Sequence, residues 1–127
     1  MGARGLILSL AAAGLALASP QAKAQDDAAL VQQGHAVFNQ LSCTTCHLPD
    51  EFDQAPPLAG VYGRKIAGAP DWPYCAALKA KGGAWDDAAL DAFLTDTQAF
   101  APGCVMNYKV SDAGKRKALV AYLKSLK

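Results

Sequence analysis

Apolar residues along this chain fall into a leader and a series of later groups with helical spacing. The leader is a nearly unbroken apolar run from Leu6 to Ala18. Leu30, Val31, Gly34, Val37, Phe38 and Leu41 then recur at intervals of three and four, the signature of one helix face, and Asp26 and Asp27 place negative charge at its expected start. A short helix is expected from Tyr74 to Lys81, stopped by Gly82-Gly83. Another is expected from about Asp86, with Leu90, Phe93 and Leu94 on its apolar side, ending before Pro102. A last helix would start with Ser111 as N-cap and bury Leu119, Tyr122, Leu123 and Leu126, its closing lysines complementing the helix dipole. No stretch alternates with the period of two that a half-buried strand requires, so the pattern predicts an all-α chain.

Between Leu48 and Pro73 the periodicity disappears. Prolines at 49, 56, 57, 70 and 73, interleaved with glycines, exclude regular structure over most of this span. An irregular segment of roughly 25 residues sits poorly in a small domain unless something organises it. A large, flat, apolar cofactor would do so, and small domains gain stability from such a staple.

The leader changes how the chain is divided. Arg4 precedes the apolar run, and a small-x-small sequence, Ala22-Lys23-Ala24, follows it, the layout of a secretory signal peptide cut after Ala24. An apolar run of about a dozen residues is shorter than the roughly 20 needed to span a bilayer, so a retained anchor is the weaker reading. Residues 1–24 are therefore expected to be a signal peptide and residues 25–127 one domain, exported to the periplasm with no stable membrane insertion after cleavage. All eleven acidic residues lie in that domain against ten basic ones, a net charge of −1. Such a balance offers no electrostatic footprint for nucleic acid.

Cys43-Thr44-Thr45-Cys46-His47 carries the chemistry. Cys-x-x-Cys can be half of a zinc site, a thiol redox motif or, when His follows directly, a c-type haem attachment site. On a helical turn, cysteines at i and i+3 share a face, so both sulfurs reach one edge of a porphyrin, and His47 is placed to bind the iron. A thioredoxin-type motif needs a βαβ setting, and a structural zinc needs two further ligands at close spacing; Cys75 and Cys104 stand far off and far from each other. Haem attachment is favoured over both, and one motif implies one haem c per chain.

Haem iron with a protein ligand on one side calls for a second on the other, or a reason to lack it. Met106 is the only methionine left once the leader is removed, and it lies in the turn-rich stretch Ala101-Pro102-Gly103-Cys104-Val105-Met106. A packing methionine is less expected there than on a helix face. His35 sits beside Gln32, Gln33 and Asn39 and reads as solvent-facing rather than as a second imidazole ligand.

Over nearly the whole expected domain the sequence resembles the mitochondrial-type class I cytochromes c. The resemblance runs through Gly34 and Phe38, Cys43-Thr44-Thr45-Cys46-His47, Pro56-Pro57-Leu58-Ala59-Gly60-Val61-Tyr62-Gly63-Arg64-Lys65, Ala69-Pro70, Tyr74, Trp85, Pro102-Gly103 with Met106, and Leu119 to Lys124. It implies a small fold of helices and long loops wrapped around one covalently bound haem. It also implies a close crossing of Gly34 and Phe38 with Leu119 and Tyr122, orientation of His47 by the Pro56 carbonyl, and contacts from Arg64, Tyr74 and Trp85 to the haem propionates. The function implied is a monomeric periplasmic one-electron carrier with His47 and Met106 as axial ligands. Its partners would be redox proteins: a quinol-oxidising complex, a periplasmic dehydrogenase or a terminal oxidase. The alternative is a haem enzyme or gas sensor with an open sixth iron position.

The departures from that family are specific. One extra residue lies between Phe38 and Cys43. Phe93 stands where the family usually has a tyrosine. Ser42, Gln98, Ala99 and Val105 occupy places that carry haem-edge lysines in the mitochondrial proteins, which implies a more apolar, weakly salt-dependent contact with partners. Cys75 and Cys104 replace two threonines that commonly bond the same propionate. That likeness, set beside an oxidising location, implies a Cys75–Cys104 disulfide.

Overall fold

A computed structural model describes Met1, Gly14, Leu17 and residues 19–48 and 54–127; most of the apolar leader, and Pro49, lie outside the described residues. Five α-helices occur among them: α1 (Pro20–Gln40), α2 (Ala76–Lys81), α3 (Asp87–Thr95), α4 (Thr97–Phe100) and α5 (Ala113–Ser125). The only β pairing among the described residues is an isolated bridge between Lys65 and Ala84, in agreement with the all-α expectation.

Helix α1 begins before Asp26. Ser19 caps it, accepting from the Ala22 amide at 3.4 Å, and Pro20 follows with a preset φ and no amide hydrogen to leave unpaired. The helix therefore runs unbroken across Ala24-Gln25. Helix α5 is capped by Asp112 rather than the expected Ser111: its carboxylate accepts from the Lys115 amide at 3.0 Å. Helix α2 starts at Ala76 instead of Tyr74, because Cys75 is still extended. It ends at Gly82-Gly83, whose φ angles of 66° and 79° are left-handed and favour glycine. The single helix expected between Asp86 and Pro102 is in fact two. Asp96 is extended and caps α4, its carboxylate accepting from the Gln98 and Ala99 amides, both at 3.0 Å. This local side-chain competition with the backbone breaks the helix.

Helices α1 and α5 form the tightest packing. A Cβ placed on Gly34 would lie 1.9 Å from the Ala118 carbonyl oxygen and 2.7 Å from the Tyr122 Cβ. Only glycine permits this approach. Phe38, Leu119 and Leu123 pack at the crossing and continue into one core with Val61, Ile66, Trp85 and Leu90. Arg116 ties α5 to α3, its Nε donating to the Asp91 carboxylate at 2.7 Å while Nη1 donates to the Val110 and Ser111 carbonyls.

The long irregular segment is anchored through its backbone. Gly60 donates to the Leu126 carbonyl at 3.0 Å, Gly63 to Trp85 at 2.8 Å and Ile66 to Gly83 at 3.0 Å, while Trp85 donates back to Arg64 at 2.9 Å. These bonds lay the loop across the ends of α2, α3 and α5 and place Arg64 beside Trp85.

Candidate functional site

The chain enters the Cys43 turn through a left-handed residue. Leu41 closes α1, and Ser42 adopts φ 57° and ψ 29°, reversing the chain into a 3-10 turn over Cys43–Thr45. The Cys46 and His47 amides both donate to the Cys43 carbonyl, at 3.3 and 2.9 Å. This compact turn presents the two cysteines one winding apart, with His47 next in line. Cys43 is half-buried against the core and Cys46 is exposed. Burial raises the Cys43 thiol above its ordinary value, helped by the neighbouring Cys46 and opposed by a backbone hydrogen bond. That direction is opposite to the lowered thiol of a redox Cys-x-x-Cys. A zinc site has no support either, since no three His, Cys, Asp or Glu side chains converge among the described residues.

His47 has one ring nitrogen occupied and the other free. Its Nδ1 lies 3.3 Å from the Pro56 carbonyl oxygen. A carbonyl can only accept, so Nδ1 carries the proton and Nε2 keeps a free lone pair. Burial lowers the His47 pKa, only partly offset by the bond to Pro56, which favours the neutral imidazole that a metal requires. His35 is exposed on α1, stacked on Tyr122 with ring centroids 5.0 Å apart and 3.2 Å from the Asn39 amide nitrogen.

Met106 lies half-buried in a loop that is strapped from the inside. Its carbonyl accepts from Thr97 Oγ1 and from Gln98 Nε2, both at 2.8 Å. Thr97 is fully buried, and its hydroxyl also accepts from the Tyr108 amide at 2.8 Å. Gln98 Nε2 further donates to the Cys104 carbonyl at 2.8 Å, while its Oε1 accepts from the Gly103 amide at 3.1 Å. Tyr108 then donates its hydroxyl proton to the Leu41 carbonyl. The Met106 loop and the Cys43 turn are thereby fastened to each other.

Of the residues assigned to propionate contacts, Arg64 and Trp85 come together and Tyr74 lies on the adjoining loop. Arg64 donates through Nη2 to the Pro57 carbonyl at 2.9 Å and through Nη1 to Ala59 at 3.4 Å. Tyr74 accepts from the Ala69 amide at 3.2 Å. Trp85 is buried, with Phe93 and Phe100 against it at centroid distances of 5.1 and 5.8 Å. Phe93 is thus part of an aromatic wall. Cys75 and Cys104, 29 residues apart, lie at a Cα–Cα distance of 5.4 Å, inside the usual disulfide range.

Sequence reasoning missed three residues here. Gln98, expected on the exposed rim, folds inward onto the Met106 loop; Thr97 and Tyr108 carried no assigned role. Asp96 was the available signal, since an acidic N-cap there starts a new helix at Thr97-Gln98.

Short helices, long anchored loops and a Cys-x-x-Cys-His turn fastened to a methionine loop define a small all-α protein built to enclose a covalently attached group. The sequence profile described as Cytochrome c matches residues 31–127. Cytochrome c2 of Rhodopseudomonas palustris is 36% identical over 112 residues, covering 75% of this chain and 96% of its own. Cytochrome c-554 of Methylosinus trichosporium is 35% identical, covering 92% of this chain and 89% of its own. Among solved structures, cytochrome cH from Methylobacterium extorquens superposes with a TM-score of 0.68 at 33% identity, covering 75% of this chain and 97% of that one. Ferricytochrome c2 from Rhodopseudomonas palustris gives 0.65 at 31% identity, covering 76% and 98%. The chain belongs to the cytochrome c family; it is a bacterial class I cytochrome c, an electron carrier and not an enzyme.

Membership implies a covalently bound haem c, and the residues fit one. Arg64 Nε is buried with no hydrogen-bond partner, and no carboxylate pairs with this guanidinium among the described residues. A buried donor left unpaired on a part-buried guanidinium is costly, and a haem propionate is an anion that would complete it. Leu58, Phe93, Phe100 and Tyr108 pack against the core yet remain half-exposed, as the lining of a further apolar body would be.

Proposed function

We propose that the protein is a monomeric periplasmic carrier of single electrons, with one haem c joined through Cys43 and Cys46 and its iron held by His47 and Met106. The observation that carries this reading is the Pro56 carbonyl facing His47 Nδ1. It leaves the Nε2 lone pair of the residue directly behind Cys46 free for ligation. The haem supplies the ferrous–ferric couple. His47 and Met106 would both hold its iron, which would leave no place there for substrate.

Arg64, with Tyr74 and Trp85 beside it, would meet the propionates and hold their charge away from water. Cys75 and Cys104 would form a disulfide, in keeping with an oxidising compartment. Removal of residues 1–24 accords with the solved relatives, which are covered nearly whole by about three quarters of this chain. No helix among the described residues is long and apolar enough to cross a membrane.

Partner proteins would be a quinol-oxidising complex, a periplasmic dehydrogenase or a terminal oxidase. Val105, next to Met106, is 100% exposed, and Ser42 and Ala99 are exposed and uncharged. Contact through such a face would depend weakly on salt. The test is carbon monoxide added to the reduced protein at neutral pH: a carrier with both positions filled leaves its spectrum unchanged. Rapid binding would overturn the carrier reading in favour of an enzyme or gas sensor with an open iron.

A further inference from the structure

We infer that Gln98 is a positioning residue for the methionine ligand: its carboxamide, more than the loop's own packing, keeps Met106 at the iron. The inference rests on the reading of Met106 as a ligand and goes beyond it by naming what holds that ligand in place. The loop from Ala101 to Tyr108 has little regular structure of its own; its internal backbone bond from Cys104 to Ala101 is long, at 3.4 Å. Val105 is fully exposed and Met106 only half-buried, so apolar burial alone holds these two residues weakly.

Gln98 supplies what is missing. Its Nε2 carries two hydrogens, matched by two carbonyls, Cys104 and Met106, each at 2.8 Å. Its Oε1 takes the Gly103 amide at 3.1 Å. One side chain thus stands in for three backbone partners over four consecutive residues. Asp96 fixes the backbone beneath it, its carboxylate accepting from the Gln98 backbone amide at 3.0 Å at the start of α4. Thr97 gives the Met106 carbonyl its second bond. The pattern of two donors and one acceptor is specific to a carboxamide: a carboxylate of the same shape keeps the acceptor, loses both donors and faces two carbonyl oxygens with negative charge.

The test uses the intact haem-loaded protein and two variants, Gln98→Leu and Gln98→Glu. Imidazole is titrated into each oxidised protein, and displacement of methionine is followed by loss of its weak far-red band. Losing the three hydrogen bonds that hold the ligand loop is expected to tighten apparent imidazole binding by about ten-fold or more in Gln98→Leu. The effect in Gln98→Glu should be at least as large, with the helix content of both variants close to that of the wild type. Wild-type imidazole affinity in Gln98→Glu would reduce the residue to a packing role and overturn the inference, as would wild-type affinity in both. A wild-type protein that lacks the far-red band would instead remove Met106 as a ligand, which separates failure of the inference from failure of the reading beneath it.

Discussion

At the α1–α5 crossing Gly34 lets two backbones approach until no side chain fits between them; at the Met106 loop the chain is held off by side chains that reach across it. The crossing is apolar, helical and steric. The loop is polar, irregular and directional. Close packing tolerates almost no change in shape, whereas a hydrogen-bonded strap can be loosened bond by bond without unfolding the molecule. In an electron carrier this division would have a use, because the frame could keep its shape while the Met106 loop is adjusted separately.

The largest effect is expected at the crossing. Gly34→Val would drive side-chain atoms into the Ala118 carbonyl and Tyr122, and overpacking against backbone should cost about 3 kcal/mol or more. Denaturant unfolding should show a lower midpoint or no folded protein at all, and near wild-type stability would mean the helices do not meet there. Replacing Cys75 and Cys104 together by serine opens a link between residues 29 apart and should cost about 2 to 4 kcal/mol in the loop-entropy account. The same loss should appear on adding reductant to the wild type, and none would show that the cysteines are unpaired in solution.

Thr97→Val keeps the shape of a fully buried side chain and removes its bonds to Met106 and Tyr108, at an expected cost of about 1 to 3 kcal/mol. It should also weaken the far-red band more than any crossing variant that still folds. That split would sharpen the contrast between frame and strap; equal spectral effects from both regions would erase it.

Legibility in the sequence follows the same division. Helical spacing gave the apolar faces of the first and last helices, and the resemblance to class I cytochromes c implied that Gly34 and Phe38 cross Leu119 and Tyr122; the Cys43 turn could be read because its chemistry lies in five consecutive residues. The strap could not. Gln98 reaches Met106 eight residues away and Tyr108 reaches Leu41 sixty-seven away, and such contacts leave no period. A glutamine that bonds carbonyls looks, in sequence, like a glutamine in solvent. Helix ends failed for a different reason. Ser111 and Asp112 are both good caps, and the choice depends on which carboxylate or hydroxyl meets a free amide. At α1, Ser19-Pro20 was a proper start signal passed over because it lay in the expected leader.

The smallest effect concerns that α5 cap. The Lys115 amide, before any other cause, lowers the Asp112 pKa below the ordinary aspartate value. A carboxylate lowered in the folded state contributes stability that is complete above its unfolded value, about 3.9, and is lost as pH falls through the lowered one. Asp112→Asn should therefore flatten slightly the fall of melting temperature on acidification below about pH 4. A steeper fall would mean that the sign is wrong.

The central claim is that His47 and Met106 close the iron between them, and Met106→Ala examines it most directly. The variant is expected to keep its haem through denaturing electrophoresis, because Cys43 and Cys46 are untouched, to lose the far-red band when oxidised, and to bind carbon monoxide rapidly when reduced. A Met106→Ala protein that retains the far-red band and still ignores carbon monoxide would contradict the account.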